Sequence, residues 1–405
     1  MYVSELDKPW VDTPFMFQGF LIKSIDEIDQ LHEHCEFVYV DKERSKLDVA
    51  AHLLAYSSKP AKKVKKRRVS SRFSAANFRQ SLLQSHKVYQ AARGWIDIML
   101  EDSRLGKGVD TEKARILVTQ LADQVIQNPD ALVWLTHLKT RDEYTATHCI
   151  NVCILALTFG RTLGLADEPL HKLGMGCLLH DIGKIQVPDE ILNKPGRLDK
   201  QEFEIMMGHP IHGHAMLVDD HDLDAESLHV VLHHHERLDG GGYPQGLAEE
   251  DIPILTRIAS IVDVYDAITS DRCYHDGVSP ALALENLFKW SKGNHDVSLL
   301  EKFIKCLGIY PIGSVVRLST NEVGVVVATD ADHRIKPIVL LAMNANGKAY
   351  SPRRLVNLSS AVWEQTGTPI IIDEVLQPGS LGIEIREILL EELNYSESQV
   401  AVVRE

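Results

Sequence analysis

Cysteine is scarce in this sequence, and what there is stays unpaired. The 6 cysteines are Cys35, Cys149, Cys153, Cys177, Cys273 and Cys306, and no two form a C-x-x-C motif. A thiolate zinc ribbon and a redox dithiol are thereby excluded, and the thiols read as reduced and mostly buried in a cytoplasmic protein. Long apolar runs are missing too. None approaches the ~20 residues that a membrane-spanning helix needs, so no transmembrane segment is expected. The opening MYVSELDKPW carries neither the positive nor the apolar region of a secretion signal. Positive charge is in deficit: 43 Lys and Arg face 57 Asp and Glu, a formal charge of −14. With a pI of about 5.7, a nucleic-acid polymer is excluded as the main partner. The 405 residues, 44% of them hydrophobic, suffice for the cores of two or three domains.

Histidine, in contrast, is abundant. There are 19, crowded between His137 and His235. The runs are HDIGK (His180 to Lys184), HPIHG (His209 to Gly213) and HHHERLDGGGYP (His233 to Pro244), with His148 upstream and Asp263 downstream. Histidine beside aspartate, without a cysteine pair, describes a nitrogen and oxygen metal site. Such a site needs lone pairs at ~2.0–2.2 Å from the ion. His180 and Asp181 would sit ~100° apart on a helix, so both can reach one pair of ions, with the carboxylate bridging. His209 precedes Pro210, which suits a helix start. His234 and His235 form a second adjacent pair. Asp263 falls on the helix TRIASIVDVYDAITS with Asp266 one turn later, and His148 on a helix beginning near Asp142. A lone histidine is ordinarily a surface or core residue; the ordered recurrence is what points to a metal. Glu236, Asp239 and Asp266 are candidates for orienting the ligating histidines.

The chain divides by composition. Residues 1–58 read as a small α+β domain, with strands at Phe15–Ile22 and Glu36–Asp41 around a helix capped by Ser24. Residues 59–73 form a basic linker that could also serve as an electrostatic patch. Residues 74–139 are a helical connector: Asp110 or Thr111 caps one helix and Pro129 opens the next. Residues 140–307 are helical almost throughout, with Gly- and Pro-bearing loops, and carry the histidine runs. Residues 308–405 are a β-rich extension: 308–358 alternate apolar and polar residues between Gly and Asn turns, which is hairpin chemistry, and 359–405 hold a further apolar stretch and an acidic tail helix. The fold class is multidomain and mainly α: an all-α core with inward-facing metal ligands, between a small α+β domain and a small β extension.

These runs, with IVDVYDAITSDRCY, resemble the HD-GYP domain, a branch of the HD phosphohydrolases, over residues 140–310. The first 60 or so residues resemble an uncharacterised domain often found ahead of it. The resemblance implies a bacterial phosphodiesterase that opens cyclic di-GMP to pGpG and on to GMP. It implies metal ligation by His148, His180, Asp181, His209, His234, His235 and Asp263. Lys184 and Arg272 would contact substrate phosphate, and Tyr243 with Pro244 would shape the loop above. His233 lies outside the family pattern. Where some members carry a third-metal glutamate this chain has Tyr144, with Glu143 one step off, so the expectation is two divalent ions, iron or manganese. SDRCYH replaces an SDRPYK-like stretch, placing His275 where relatives use a substrate-holding lysine. On this reading a hydroxide shared by the metals attacks phosphorus, Asp181 and Lys184 being central to catalysis. The alternatives are a non-catalytic cyclic-dinucleotide receptor and a phosphodiesterase for mixed cyclic GMP-AMP. A homodimer through the helix at 74–100 and a signalling-protein partner complete the expectations.

Overall fold

The computed structural model describes residues 2–6, 20–21, 31, 35, 38–41, 75–138, 144–270, 277–291, 293–329, 335–361 and 367–404. The expected helix after Ser24 and the basic linker 59–73 lie outside them. The chain divides into two units, Met1–Val64 and Lys65–Glu405.

In the first unit, β1 (Tyr2–Leu6) is the central strand of an antiparallel sheet between β2 (Phe20–Leu21) and β3 (Val38–Asp41). Val3, fully buried, pairs with Phe20 on one side and Val40 on the other.

The second unit is built on helices. In α1 (Ala75–Arg104), Phe78, Leu82, Tyr89, Trp95, Ile96 and Met99 recur at helical spacing and are buried. Asp110 caps α2 (Thr111–Gln127) by accepting the Lys113 N–H at 2.9 Å, and Pro129 opens α3 (Pro129–Leu135). The phenol of Tyr89 donates to Asn151 at 3.3 Å, and the Phe78 ring lies 5.7 Å from that of Trp134. The helices of 75–138 thus pack directly on those that carry the histidines.

Next come α4 (Tyr144–Thr162) and α5 (Asp167–Leu179), then a 3-10 turn (Ile182–Gln186) and the single-turn α6 (Asp189–Leu192). After them are α7 (Lys200–Met206), α8 (His209–Leu217), α9 (Ala225–His233) and α10 (Ile254–Thr269). The last two of this group are α11 (Pro280–Trp290) and α12 (Val297–Leu307). A run of α4 from Ala146 to Ala156 is buried throughout, so α4 is the central helix of the bundle.

The C-terminal region is an antiparallel sheet ordered β7-β6-β5-β4-β8. Its strands are β4 (Val315–Leu318), β5 (Val323–Ala328), β6 (Ile338–Met343), β7 (Ala349–Asn357) and β8 (Ile372–Leu376). Val316, Leu318, Val326, Val339, Leu341 and Leu358 form its core. The closing helix α13 (Ile385–Arg404) returns to α1, where the buried Glu392 pairs with Arg79. No helix among the described residues is long and apolar enough to cross a membrane.

Candidate metal centre

The clustered side chains come from helix ends and from two helix interiors. His180 is the C-cap of α5, and Asp181 leads into the 3-10 turn. His209 is the first residue of α8 with Pro210 behind it, and His234 is the C-cap of α9. His148 and Asp263 project from α4 and α10. All of these are buried, and His235 is half-buried. Glycine sets the spacing between the first two motifs. A Cβ on Gly183 would stand 2.0 Å from the His209 carbonyl oxygen and 2.4 Å from the Gly213 nitrogen. Only a residue without one lets the HDIGK turn lie against the HPIHG helix.

Backbone carbonyls fix the imidazoles. His180 Nδ1–H donates to Cys177 O at 2.7 Å, His209 to Met206 O at 2.8 Å, and His234 to Val231 O at 2.9 Å. Each acceptor lies three residues earlier, at the end of a helical turn. Each Nε2 therefore keeps its lone pair and points inward. The lone pairs converge: Nε2 atoms are 3.3 Å apart between His180 and His148, and 3.3 Å apart between His209 and His234. His148 is held between two carboxylates, Asp266 Oδ2 at 2.8 Å from Nδ1 and Asp263 Oδ1 at 3.0 Å from Nε2.

The donors fall into two groups. His148, His180 and Asp263 form one; Asp181, His209, His234 and His235 form the other, and within each the donor atoms lie within 4.8 Å of one another. Asp181 stands between them. Its Oδ2 is 3.4 Å from His180 Nε2 and 3.6 Å from His148 Nε2, while Oδ1 is 3.3 Å from His209 Nε2 and 3.9 Å from His234 Nε2. That buried Oδ1 has no well-directed hydrogen bond. An orphaned carboxylate oxygen among imidazole lone pairs calls for a cation, and the donor set fits divalent ions of intermediate softness.

At His234, His235, Asp181 and Asp263 the electrostatics agree with that fit. Burial, with the neighbouring histidines, pushes the His234 imidazole well below its ordinary range. Burial takes His235 down to about 3 against the pull of Asp263. Burial opposes the Asp181 charge, yet His180 and Lys184 hold its carboxyl well below the usual range. Asp263 is likewise held low against burial, by His148 and His235. Burial lowers His148 too, but its bonds to Asp263 and Asp266 outweigh that and raise it. Neutral imidazole at His234 and His235, with ionised carboxylate at Asp181 and Asp263, is the protonation state that binds metal.

The GYP loop closes one side. Tyr243 donates its N–H to His235 O at 3.3 Å, its peptide to Pro244 is cis, and its ring lies 4.7 Å from the His235 ring. A Cβ on Gly242 would meet Arg237 N at 2.4 Å and Glu236 Cα at 2.5 Å. Glu236 corrects the sequence expectation. Its buried carboxylate orients no histidine; it accepts the backbone N–H groups of Gln245, Gly246 and Leu247 at 2.7, 3.1 and 3.0 Å. Asp239 also faces the loop, accepting from Gly241 N at 2.8 Å. Of the three candidate orienting acids, Asp266 alone reaches a clustered histidine. His233 hydrogen-bonds to His229 and, at 3.2 Å, to Gln245 in the loop. Lys184, expected at the substrate phosphate, lies with Nζ 2.5 Å from Asp181 Oδ2. Arg272, His275 and Glu143 lie outside the described residues, and Tyr144 is the first residue of α4. The orienting carbonyls of Cys177, Met206 and Val231 escaped sequence reading, because backbone acceptors leave no side-chain signature.

The helical fold with this donor set defines a divalent-metal site in an HD-type domain. Residues 129–299 match the family profile described as an HD domain, and residues 1–114 match a domain of unknown function. A cyclic di-GMP phosphodiesterase of Pseudomonas aeruginosa is 38% identical over 363 residues, spanning 89% of this chain and 87% of that protein. A cyclic di-GMP phosphodiesterase response regulator of Xanthomonas campestris is 37% identical over 153 residues, 37% of this chain and 40% of the relative. A 3′3′-cGAMP-specific phosphodiesterase of Vibrio cholerae is 36% identical over 159 residues, 39% of this chain and 30% of the relative. The chain belongs to the HD-GYP family of phosphodiesterases.

Proposed function

We propose that this chain hydrolyses cyclic di-GMP to pGpG, GMP or both, using two divalent cations. The observation that carries the reading is the Asp181 carboxylate, with one oxygen toward each group of imidazoles. The relatives named cyclic di-GMP phosphodiesterases support the substrate. His148, His180 and Asp263 would hold one ion and His209, His234 and His235 the other, with Asp181 shared. When bound, the ions acidify water from ~15.7 towards ~7 and neutralise charge on phosphoryl oxygens. Iron or manganese is our assignment, since imidazole with carboxylate suits both.

The chain's own residues supply the rest. Backbone carbonyls and Asp266 keep the imidazoles aimed. The Lys184 ammonium, beside the Asp181 carboxylate, would offset charge on a phosphate oxygen. Tyr243 packs its ring against that of His235. Arg272 and His275 are assigned to the substrate on their motif. In this organisation residues 140–307 carry the reaction, 74–139 complete the core beneath it, and 308–405 extend it. Residues 1–58 form a separate domain joined through the linker 59–73.

The test is hydrolysis of cyclic di-GMP by anaerobically purified, iron- or manganese-loaded protein, with products separated by chromatography. Appearance of pGpG or GMP is expected, with about two metals per chain by elemental analysis. Tight binding without product would instead make the chain a receptor, and three metals would overturn the binuclear assignment. The Vibrio relative makes 3′3′-cGAMP the second substrate to run in the same assay.

A further inference from the structure

We propose that Phe203 is a stacking platform for a purine base of the substrate, an inference that rests on the phosphodiesterase reading above. Phe203 stands on α7, in which no residue is buried. Core packing does not hold that helix. A capping box between Asp199 and Glu202 fixes its start, and Lys194 Nζ braces it at 2.5 and 2.7 Å from the two Glu202 oxygens. A helix held by polar braces and not by burial presents its side chains to solvent, and Phe203 is 47% exposed.

A single exposed apolar residue needs no explanation by itself. The position of this one does. Its ring meets Tyr243 edge-on at 6.3 Å, and Tyr243 lies 4.7 Å from His235 at a tilt of 32°. Two ring-to-ring steps therefore lead from solvent to a clustered imidazole. A cyclic dinucleotide carries a purine one ribose away from each phosphodiester. With phosphorus at the metal groups, that base lies at the rim, and Phe203 offers a π-face there. Ile205, also exposed, is ~200° further round the helix and so lies off that surface. Stacking on an aromatic is tolerant of base identity, so the platform accepts guanine or adenine.

The test compares full-length, metal-loaded wild type, Phe203→Ala and Phe203→Trp on cyclic di-GMP and on bis(p-nitrophenyl) phosphate, a diester without a purine. Loss of the ring should raise KM for cyclic di-GMP about ten-fold. It should leave kcat, and turnover of the small diester, within about two-fold. Tryptophan should restore the wild-type KM. An unchanged KM in Phe203→Ala overturns the platform while the phosphodiesterase reading stands. An equal loss on both diesters also overturns it, placing the effect on His209 through the Met206 carbonyl at the end of α7. If wild type cleaves the small diester but never cyclic di-GMP, the substrate reading fails and this inference falls with it.

Discussion

Replacing Glu236 by glutamine asks whether one buried carboxylate folds the loop beside the metal groups. Oε1 takes the N–H of Gln245 at 2.7 Å and of Gly246 at 3.1 Å, and Oε2 takes that of Leu247 at 3.0 Å. A glutamine has one acceptor oxygen. Turned toward Gln245 and Gly246, it sets its NH2 against the Leu247 N–H, donor to donor. Flipped, it strands two N–H groups in place of one. Hydrogen bonds to a charged group contribute about 1.5–3 kcal/mol each, and neutral ones about 1. Losing one and weakening two gives a cost of about 3 kcal/mol to loop closure. That corresponds to about a hundred-fold in the opening equilibrium. The assay is amide hydrogen exchange of the Gln245–Leu247 segment, read beside metal content. Exchange should accelerate by about that factor with metal stoichiometry unchanged, because the carboxylate bonds only to the loop. Unchanged protection there, or metal lost while protection survives, would refute the assignment.

Three further outcomes follow from the same geometry. His180→Ala combined with Asp181→Ala should abolish cyclic di-GMP hydrolysis while the far-ultraviolet dichroism stays native; retained turnover sinks the metal mechanism. Asp266→Asn removes the charged acceptor 2.8 Å from His148 Nδ1 and should weaken manganese binding by about 10–100-fold in a titration. Unchanged affinity would make Asp266 a packing residue. Chelator-treated protein should also lose stability as pH falls below about 6.5, the ordinary histidine value. His235, held at about 3, and His234, held well below its usual range, bind protons more readily when unfolded over that window. Each contributes a slope of about 1.4 kcal/mol per pH unit. Asp181 and Asp263 are held low in the fold, so their contribution is complete above about 3.9 and fades only on further acidification. A denaturation midpoint that stays flat from pH 8 to pH 5 contradicts the histidine slope.

What the sequence discloses about this site is its side-chain chemistry, because a metal admits few residue types and the motifs keep them adjacent. Backbone partners are another matter. Glu236 reads from sequence as an acid that orients a neighbouring histidine, yet its partners are three N–H groups nine to eleven positions later, which no side-chain pattern marks. Helical spacing in 75–104 shows that one face is buried and is silent on what buries it; in the structure α2, α3, α4 and α13 pack on this helix, through contacts such as Tyr89 with Asn151 and Arg79 with Glu392. Strand pairing is equally non-local. The turn residues of 308–358 indicate hairpins, while β8 crosses back to pair with β4, Val316 opposite Val375, a register that no turn dictates. The short strand Tyr2–Leu6 needed both neighbours to become the centre of a sheet. α7 is the instructive case. It buries nothing, so hydrophobic periodicity could not find it, yet Asp199 and Glu202 spell its capping box plainly. Helices held by caps and ion pairs have to be sought by those signals. They are also the ones free to spend an aromatic such as Phe203 on a ligand, because no core competes for it.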